Sequence, residues 1–480
     1  MLHLPILRQG RPYYSVDVAR ATHHRTRQPF VEISQANVGL IRRDFLGLEE
    51  VATRMAGFTS EELLRLCEKA AAHFANDTLP LGDAQQTVDD YVEQTSATTG
   101  LPHNMVRRNL AKIQGVMANM RGVLGGLTRN LDLSILDRGY GEAFGSVVSY
   151  FRRTDSLGVV LPSNSPGVHS LWIPAFALKT PLVLKPGGQE PWTPYRTIQA
   201  FIRAGAPPEA FSYYPTDHAG SGEILRRCGR GMVFGDVHST KVWARDSRIE
   251  VHGPGWSKVV IGEDQIDRWP EFIDVIAASI AENSGRSCVN ASAVWVPRHG
   301  RAIAQALAEK LVKIQPKAAD DPEAAIAPFA DPNVASRMNQ MIEGLLAEPG
   351  ATDMSAEAGR GDRLSISNGC SYLLPTIIYC DTPAHGANNK EFLFPYAAVV
   401  EAPQSTLPEA LGPTLVLTAI TEDKNFQRRL LTSQHIGRLN FGPVKTIQIV
   451  WDQPHEGNLF EHLYARRAFQ NVLEPAAAAV

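Results

Sequence analysis

From residue 59 the chain places apolar side chains every three or four positions. TSEELLRLCEKAAAHF carries this spacing, and Thr59 stands three residues before Glu62, so a capping box is expected to start a helix here. DAQQTVDDYVEQTSATTG and PHNMVRRNLAKIQGVMANMRGVLGGL continue the pattern and stop at glycines. The chain up to about Leu136 is therefore expected to be mostly helical. GSVVSYFRR, residues 145–153, breaks the helical period and reads as a strand. Beyond residue 157 short apolar runs (LGVVLP, PLVLKP, AFSYYP, GMVFG) alternate with helical stretches (SNSPGVHSLWIPAFALKT, PYRTIQAFIRAG, SGEILRRC).

Short apolar strands alternating with helices predict βαβ units and a parallel sheet covered on both faces. Ligands of such sheets bind beyond the carboxyl ends of the strands. Those ends carry Ser163-Asn164, Lys185-Pro186-Gly187-Gly188 and Gly235-Asp236. No GxGxxG follows any of these strands, so the common dinucleotide fingerprint is missing. A second region of the same texture runs from KVVIGED through ASAVWVP, GRAIAQALAEKLVKI, SYLLPTIIY and YAAVVEA to a final strand, helix and strand ending at NFGP. The segment WDQPHEGNLFEHLYARRAF is polar and aromatic and is expected to pack on another domain or subunit. The closing AAAAV reads as a frayed tail.

Bulk properties narrow the function. A chain of 480 residues exceeds one core and predicts two or three domains. With 44% apolar and 20% charged residues it reads as an ordinary soluble globular protein. A net charge of −3 argues against a basic surface for nucleic acid or for a membrane. The cysteines, Cys67, Cys228, Cys288, Cys370 and Cys380, are odd in number and lack CxxC spacing. They suit reduced thiols in the cytoplasm rather than disulfides or a zinc site. His435, His455 and His462 have no metal-ligand spacing, so no metal is expected. The start, MLHLPILRQGRPYY, has no signal-peptide pattern, and LWIPAFALKTPLVL is too short and too interrupted to span a bilayer.

One cysteine stands apart. NSGRSCV, residues 283–289, follows the helical EFIDVIAASIAE and sets Cys288 in a Gly/Ser-rich loop, whereas free cysteine usually lies in a core. Asn283, Ser284, Gly285, Arg286 and Ser287 offer the sulfur polar and cationic neighbours, which favour a thiolate.

In their order along the chain, these segments resemble the aldehyde dehydrogenase superfamily from about residue 145 to 470. LPSNSP resembles the family's Pro-Trp-Asn-x-Pro turn, with Asn164 at the oxyanion asparagine and Ser163 replacing the tryptophan. PLVLKPGGQEPWTP is similar to the segment whose lysine touches the adenosine ribose, matched by Lys185. VFGD resembles the glycine turn beside the nicotinamide diphosphate, matched by Gly235. RIEVHGPGWSKVVI stands where the family has Glu-Leu-Gly-Gly-Lys, with Glu250 as candidate base. NSGRSCVNAS resembles Asn-x-Gly-Gln-x-Cys-x-Ala-x, with Cys288 as nucleophile. NKEFLFPYAAVV resembles Glu-x-Phe-Gly-Pro, whose glutamate holds the nicotinamide ribose, matched by Glu391.

The resemblance implies two doubly wound parallel-sheet α/β domains, for cofactor and catalysis, and a small β oligomerisation element. The expected boundaries are 1–130 and 154–252 for an NAD(P)-binding domain, 253–440 for a catalytic domain, and 131–153 with 441–480 for a bridging element. It implies a homodimer or homotetramer acting on an aldehyde. Oxidation would run through a thiohemiacetal and a thioester on Cys288, with Asn164 and a backbone N–H stabilising the oxyanion and a carboxylate activating water. Two departures bear on the outcome. Gly188 replaces the usual carboxylate that binds the adenosine ribose and repels a 2′-phosphate, so NADP is expected alongside NAD. HGPGWSK is similar to the Gly-Pro-x-x-Ser stretch of luciferase-associated fatty acyl-CoA reductases, which makes CoA an alternative acceptor of the acyl group. A catalytically silent family member is the third reading, and an intact Cys288 with Asn164 speaks against it.

Overall fold

The computed structural model describes residues 1–143, 145–454 and 457–470. The AAAAV end and His455 lie outside the described residues. Two seven-stranded sheets dominate. In the first, five parallel strands lie in the order Ile249–His252, Arg230–Phe234, Leu157–Val160, Leu182–Lys185, Phe211–Tyr213. An antiparallel hairpin, Ile6–Arg8 with Arg11–Tyr13, extends the edge beside Phe211–Tyr213. The chain enters at Leu157–Val160, winds outward on one side through 182 and 211, then returns to lay 230 and 249 on the other. Strand order therefore reverses between Leu157–Val160 and Arg230–Phe234, where such sheets form a crevice.

The second sheet holds six parallel strands, Thr376–Cys380, Tyr396–Glu401, Ala291–Val296, Ser257–Ile261, Thr414–Ile420 and Ile436–Phe441, in that order. Ala351–Asp353 closes it as an antiparallel edge. Central strands such as Ala291–Val296 are buried along their whole length, as expected for strands covered by helices on both faces. A third, three-stranded antiparallel sheet joins Tyr140–Ala143, Ser146–Arg152 and Tyr464–Arg467. The C-terminal aromatic segment packs there and against the first core, where Phe460 stacks on Tyr464.

The N-terminal third differs from the helical expectation. Residues 2–34 form strands, among them Leu2–Leu4, Val18–Thr22 and Pro29–Ser34 in a sheet of their own. These segments are three to six residues long, too short for an alternation to stand out from noise. Asp83–Gln86 belongs to a hairpin (Leu79–Leu81 with Ala84–Gln86), and the helix begins only after Thr87, which forms a second capping box with Asp90. The long run from residue 102 breaks at Asn119 into His103–Ala118 and Met120–Thr128. SYLLPTIIY divides at Pro375 into strands of two different sheets. The Thr59–Glu62 capping box is present. Among the described residues no helix is long and apolar enough to cross a membrane, and no group of three or more metal-ligating side chains stands together.

Candidate active site

The two sheets meet with opposite ends. The first contributes the carboxyl ends of its strands, which lead into Pro162-Ser163-Asn164 and Gly235-Asp236. The second contributes amino ends: Cys288 precedes strand Ala291–Val296, Gly255 precedes Ser257–Ile261 and Glu391 precedes Tyr396–Glu401. A cavity of about 490 Å³ opens between them, lined by Ser163, Asn164, Gly235, Cys288 and Glu391, together with Asp236, His252 and Lys112. Five of the eight residues singled out in the sequence thus share one cavity, although they span more than 220 positions.

The Cys288 loop is held by its own polar residues. Asn283, Ser284 and Gly285 all take left-handed backbone conformations, at φ 54°, 59° and 64°. Gly285 also lies where a Cβ would stand 2.5 Å from the Phe394 carbonyl carbon, so glycine is required twice over. Asn283 accepts from Asn109 Nδ2 at 2.9 Å and donates to Ser165 Oγ at 3.0 Å. Asn290 Oδ1 accepts the Ser287 N–H at 2.9 Å, and its amide donates to the Ser279 and Glu282 carbonyls. The Cys288 carbonyl accepts from Ser257 Oγ at 2.8 Å and lies against Gly255, where a Cβ would approach it to 2.0 Å. Cys288 is partly exposed, whereas the other four thiols are buried. Burial pushes the Cys228 and Cys380 thiols up to about 12, far from thiolate formation at neutral pH.

Arg286, the cation that the sequence offers beside the sulfur, does a different job. Its guanidinium is buried, donates to the Thr99 carbonyl at 3.0 Å and the Pro328 carbonyl at 2.6 Å, and lies 5.3 Å from the Phe329 ring centre. Burial lowers its pKa to about 10. It fastens the loop to helix Val88–Thr99 and to the chain near residue 328.

On the facing edge, Asn164 Nδ2 donates to the Arg286 carbonyl at 2.7 Å. Ser163 Oγ accepts the Gln189 N–H at 3.1 Å, and a Cβ on Gly187 would stand 2.3 Å from the Pro162 carbonyl oxygen. The ends of two adjacent strands are thereby clasped together. Gly188 is exposed, with no atom within 4 Å of where its Cβ would stand. Lys185 lies at the end of its strand, outside the cavity lining, and burial lowers its pKa. Glu391 Oε2 accepts the N–H groups of Gly255 and Trp256 at 2.9 and 2.8 Å.

Glu250 sits elsewhere. It lines a smaller neighbouring cavity of about 60 Å³ with Met232, Trp451 and Leu459. Lys112 and Leu171 line both cavities and so stand at their junction. Glu250 Oε2 lies 3.7 Å from His252 Nε2, and Oε1 lies 3.8 Å from His462 Nδ1. His252, stacked on Phe234 at 4.4 Å, reaches the larger cavity from the same strand.

Sequence reasoning missed Lys112 and His252. For Lys112 a signal exists: Met105, Asn109 and Val116 are buried, and 105, 109, 112 and 116 fall on one stripe of helix His103–Ala118. A lysine on a buried stripe is an anomaly that spacing alone can flag.

The model of the aldehyde dehydrogenase family matches residues 145–411, and the chain belongs to that family. The betaine aldehyde dehydrogenase of Cereibacter sphaeroides (strain ATCC 17025 / ATH 2.4.3) is 26% identical over 251 residues, 50% of each chain. The chain thus spans about half the length of the curated relative it matches. Among solved structures, the aldehyde dehydrogenase KauB from Pseudomonas aeruginosa superposes with a TM-score of 0.80 at 14% identity, covering 98% of this chain and 96% of its own. An aldehyde dehydrogenase from Bacillus cereus, solved as an NAD+ complex, gives 0.76 at 16% identity over 98% and 97%. These likenesses extend the shared fold through the N-terminal third, which the family model leaves unmatched.

Proposed function

We propose that the chain oxidises an aldehyde to a carboxylic acid with NAD or NADP, through a covalent intermediate on Cys288. The observation that carries this reading is the partly exposed Cys288 lining, together with Asn164, a cavity of about 490 Å³. The Cys288 sulfur adds to the aldehyde carbon, and the carbonyl oxygen gains the charge. The Asn164 amide has two N–H donors and gives one to Arg286. The other, with the Cys288 backbone N–H, serves the oxyanion. A donor of this kind is worth about 3–4 kcal/mol in comparable sites. A bound nicotinamide supplies the two-electron acceptor that turns the thiohemiacetal into a thioester. Water, deprotonated by Glu250, then releases the acid and restores the sulfur.

The residues present suit such a cofactor. Gly235 and Ser163 line the cavity at the point where strand order reverses, and the space beyond Gly188 is open. Lys185 and Glu391 are assigned to the two riboses. Glu391 would exchange its bonds to Gly255 and Trp256 for that contact. The sheet of Tyr140–Ala143, Ser146–Arg152 and Tyr464–Arg467, with Val147 and Phe151 exposed, supports an assembly of like copies through the 131–153 and 441–480 element. The first sheet, within 1–130 and 154–252, takes the cofactor role, and 253–440 the catalytic one. Five free thiols suit a reducing cytoplasm.

One observation favours a second reading. Glu250 lies outside the lining of the Cys288 cavity, so a thiol such as CoA, which needs less help than water, becomes the acceptor and an acyl-CoA the product. An aldehyde panel with NAD and NADP in parallel, with and without CoA, tests both readings. Cys288→Ala should remove turnover while the fold survives. Residual oxidation above about a thousandth of wild type would sink the covalent mechanism, given the losses seen when a nucleophile is removed.

A further inference from the structure

One cation lining the cavity of Cys288 comes from 176 positions upstream. Lys112 projects from helix His103–Ala118 to the junction of the two cavities. Its side chain passes beside Gly167, where a Cβ would be in ordinary contact with Nζ at 3.4 Å and with Cδ at 3.5 Å. It is half-buried and lines both cavities. Two groups bear on its charge: Cys288, which favours the ammonium form when ionised, and Arg438 on strand Ile436–Phe441, which opposes it. Burial is the larger influence and brings its pKa down to about 8.

The other charges facing Cys288 are engaged locally. Asp236 accepts the Ser239 N–H as a helix cap, Asp331 that of Asn333, and Glu391 those of Gly255 and Trp256. Arg286 is held by backbone carbonyls. His252 stacks on Phe234 beside Glu250.

We infer that Lys112 is a positioning residue for Cys288, its ammonium holding the sulfur in the thiolate form from which attack begins. A thiolate gains more from a cation in a protein cavity than from one in bulk water. The sign with pH follows. Lys112 is charged below about pH 8, so its attraction is fully present at neutral pH and fades as pH rises through that value. This inference rests on Cys288 being the reactive thiol, but its test needs neither aldehyde nor cofactor.

The test is the pH profile of Cys288 alkylation by iodoacetamide, read by peptide mass spectrometry, in wild type, Lys112→Met and Lys112→Arg, with melting curves as the check on folding. Lys112→Met should raise the thiol midpoint by about one pH unit or more, making alkylation at pH 7 roughly tenfold slower. Lys112→Arg should keep the midpoint low. Equal midpoints in wild type and Lys112→Met would overturn the inference. Should Lys112→Met fail to fold, Lys112→Arg decides: a midpoint near that of an ordinary cysteine, about 8.5, overturns it, and a low one supports it. Oxidation surviving in Cys288→Ala would instead remove the proposed function and leave the alkylation profile standing.

Discussion

The Asn164 side chain and the Arg286 carbonyl are joined by a 2.7 Å hydrogen bond, which ties the carboxyl edge of one sheet to the loop that carries Cys288 on the amino edge of the other. Asn164 lies four residues beyond strand Leu157–Val160, at the reversal of strand order. Its Oδ1 is buried and accepts no hydrogen bond among the described residues. A buried carbonyl oxygen without a donor is normally avoided.

Asn164→Ala should lower kcat by roughly a hundredfold to a thousandfold, the usual loss for one oxyanion donor. It should cost only about 1 kcal/mol of stability, the size of one net hydrogen bond. Stopped-flow measurement of the first turnover checks the origin of the effect. A slowed first turnover is expected. An unchanged first turnover with a slow steady state would assign Asn164 to release of the acid instead.

Legibility from sequence followed how local each signal was. Cys288 could be read because its loop is built from its own neighbours: Asn283 and Asn290 bond within the segment, and Gly285 answers to a positive φ. Strands such as Leu157–Val160 and Leu182–Lys185 could be read because they are short, largely apolar runs. Lys112 could not be joined to Cys288, since helix His103–Ala118 is brought there by its packing on Pro166–Leu171 and on neighbouring helices. Arg286 misled for the reverse reason: adjacent in sequence to the loop, its guanidinium turns to the carbonyls of Thr99 and Pro328. The Glu250 side chain is directed by the pairing of its strand with Arg230–Phe234, which sets Glu250 opposite Met232, and no motif reports that.

In the proposed function, cofactor choice would turn on Gly188. Its exposed position, with no atom within 4 Å of its Cβ site, leaves room for a 2′-phosphate and brings no like charge against it. NADP should therefore serve within about tenfold of NAD or better, since one like-charge contact removed is worth roughly 1–2 kcal/mol. Gly188→Glu should shift preference toward NAD without strain, as the open space can take the side chain. The ratio of kcat/KM for the two cofactors is the measurement. A wild type that already excludes NADP by three orders of magnitude would mean that another residue makes the choice.

In the proposed function, the acceptor of the acyl group would depend on Glu250. Its carboxylate lies in the 60 Å³ side cavity, and His252, 3.7 Å away on the same strand, is the residue that reaches the cavity of Cys288. If water attacks the thioester, its proton must travel to Glu250 directly or across His252. Glu250→Gln should then leave a burst of reduced cofactor, one per active site, followed by a steady state slower by about a hundredfold to ten-thousandfold, the range for loss of a general base. If CoA is the acceptor, the substitution should matter little once CoA is supplied, because a thiol near its own pKa needs less help than water. Product analysis separates the cases independently of rate. Free acid from the wild type at physiological CoA is the expected result. Acyl-CoA as the main product would overturn hydrolysis and leave the role of Cys288 intact, since both reactions start from the same thioester.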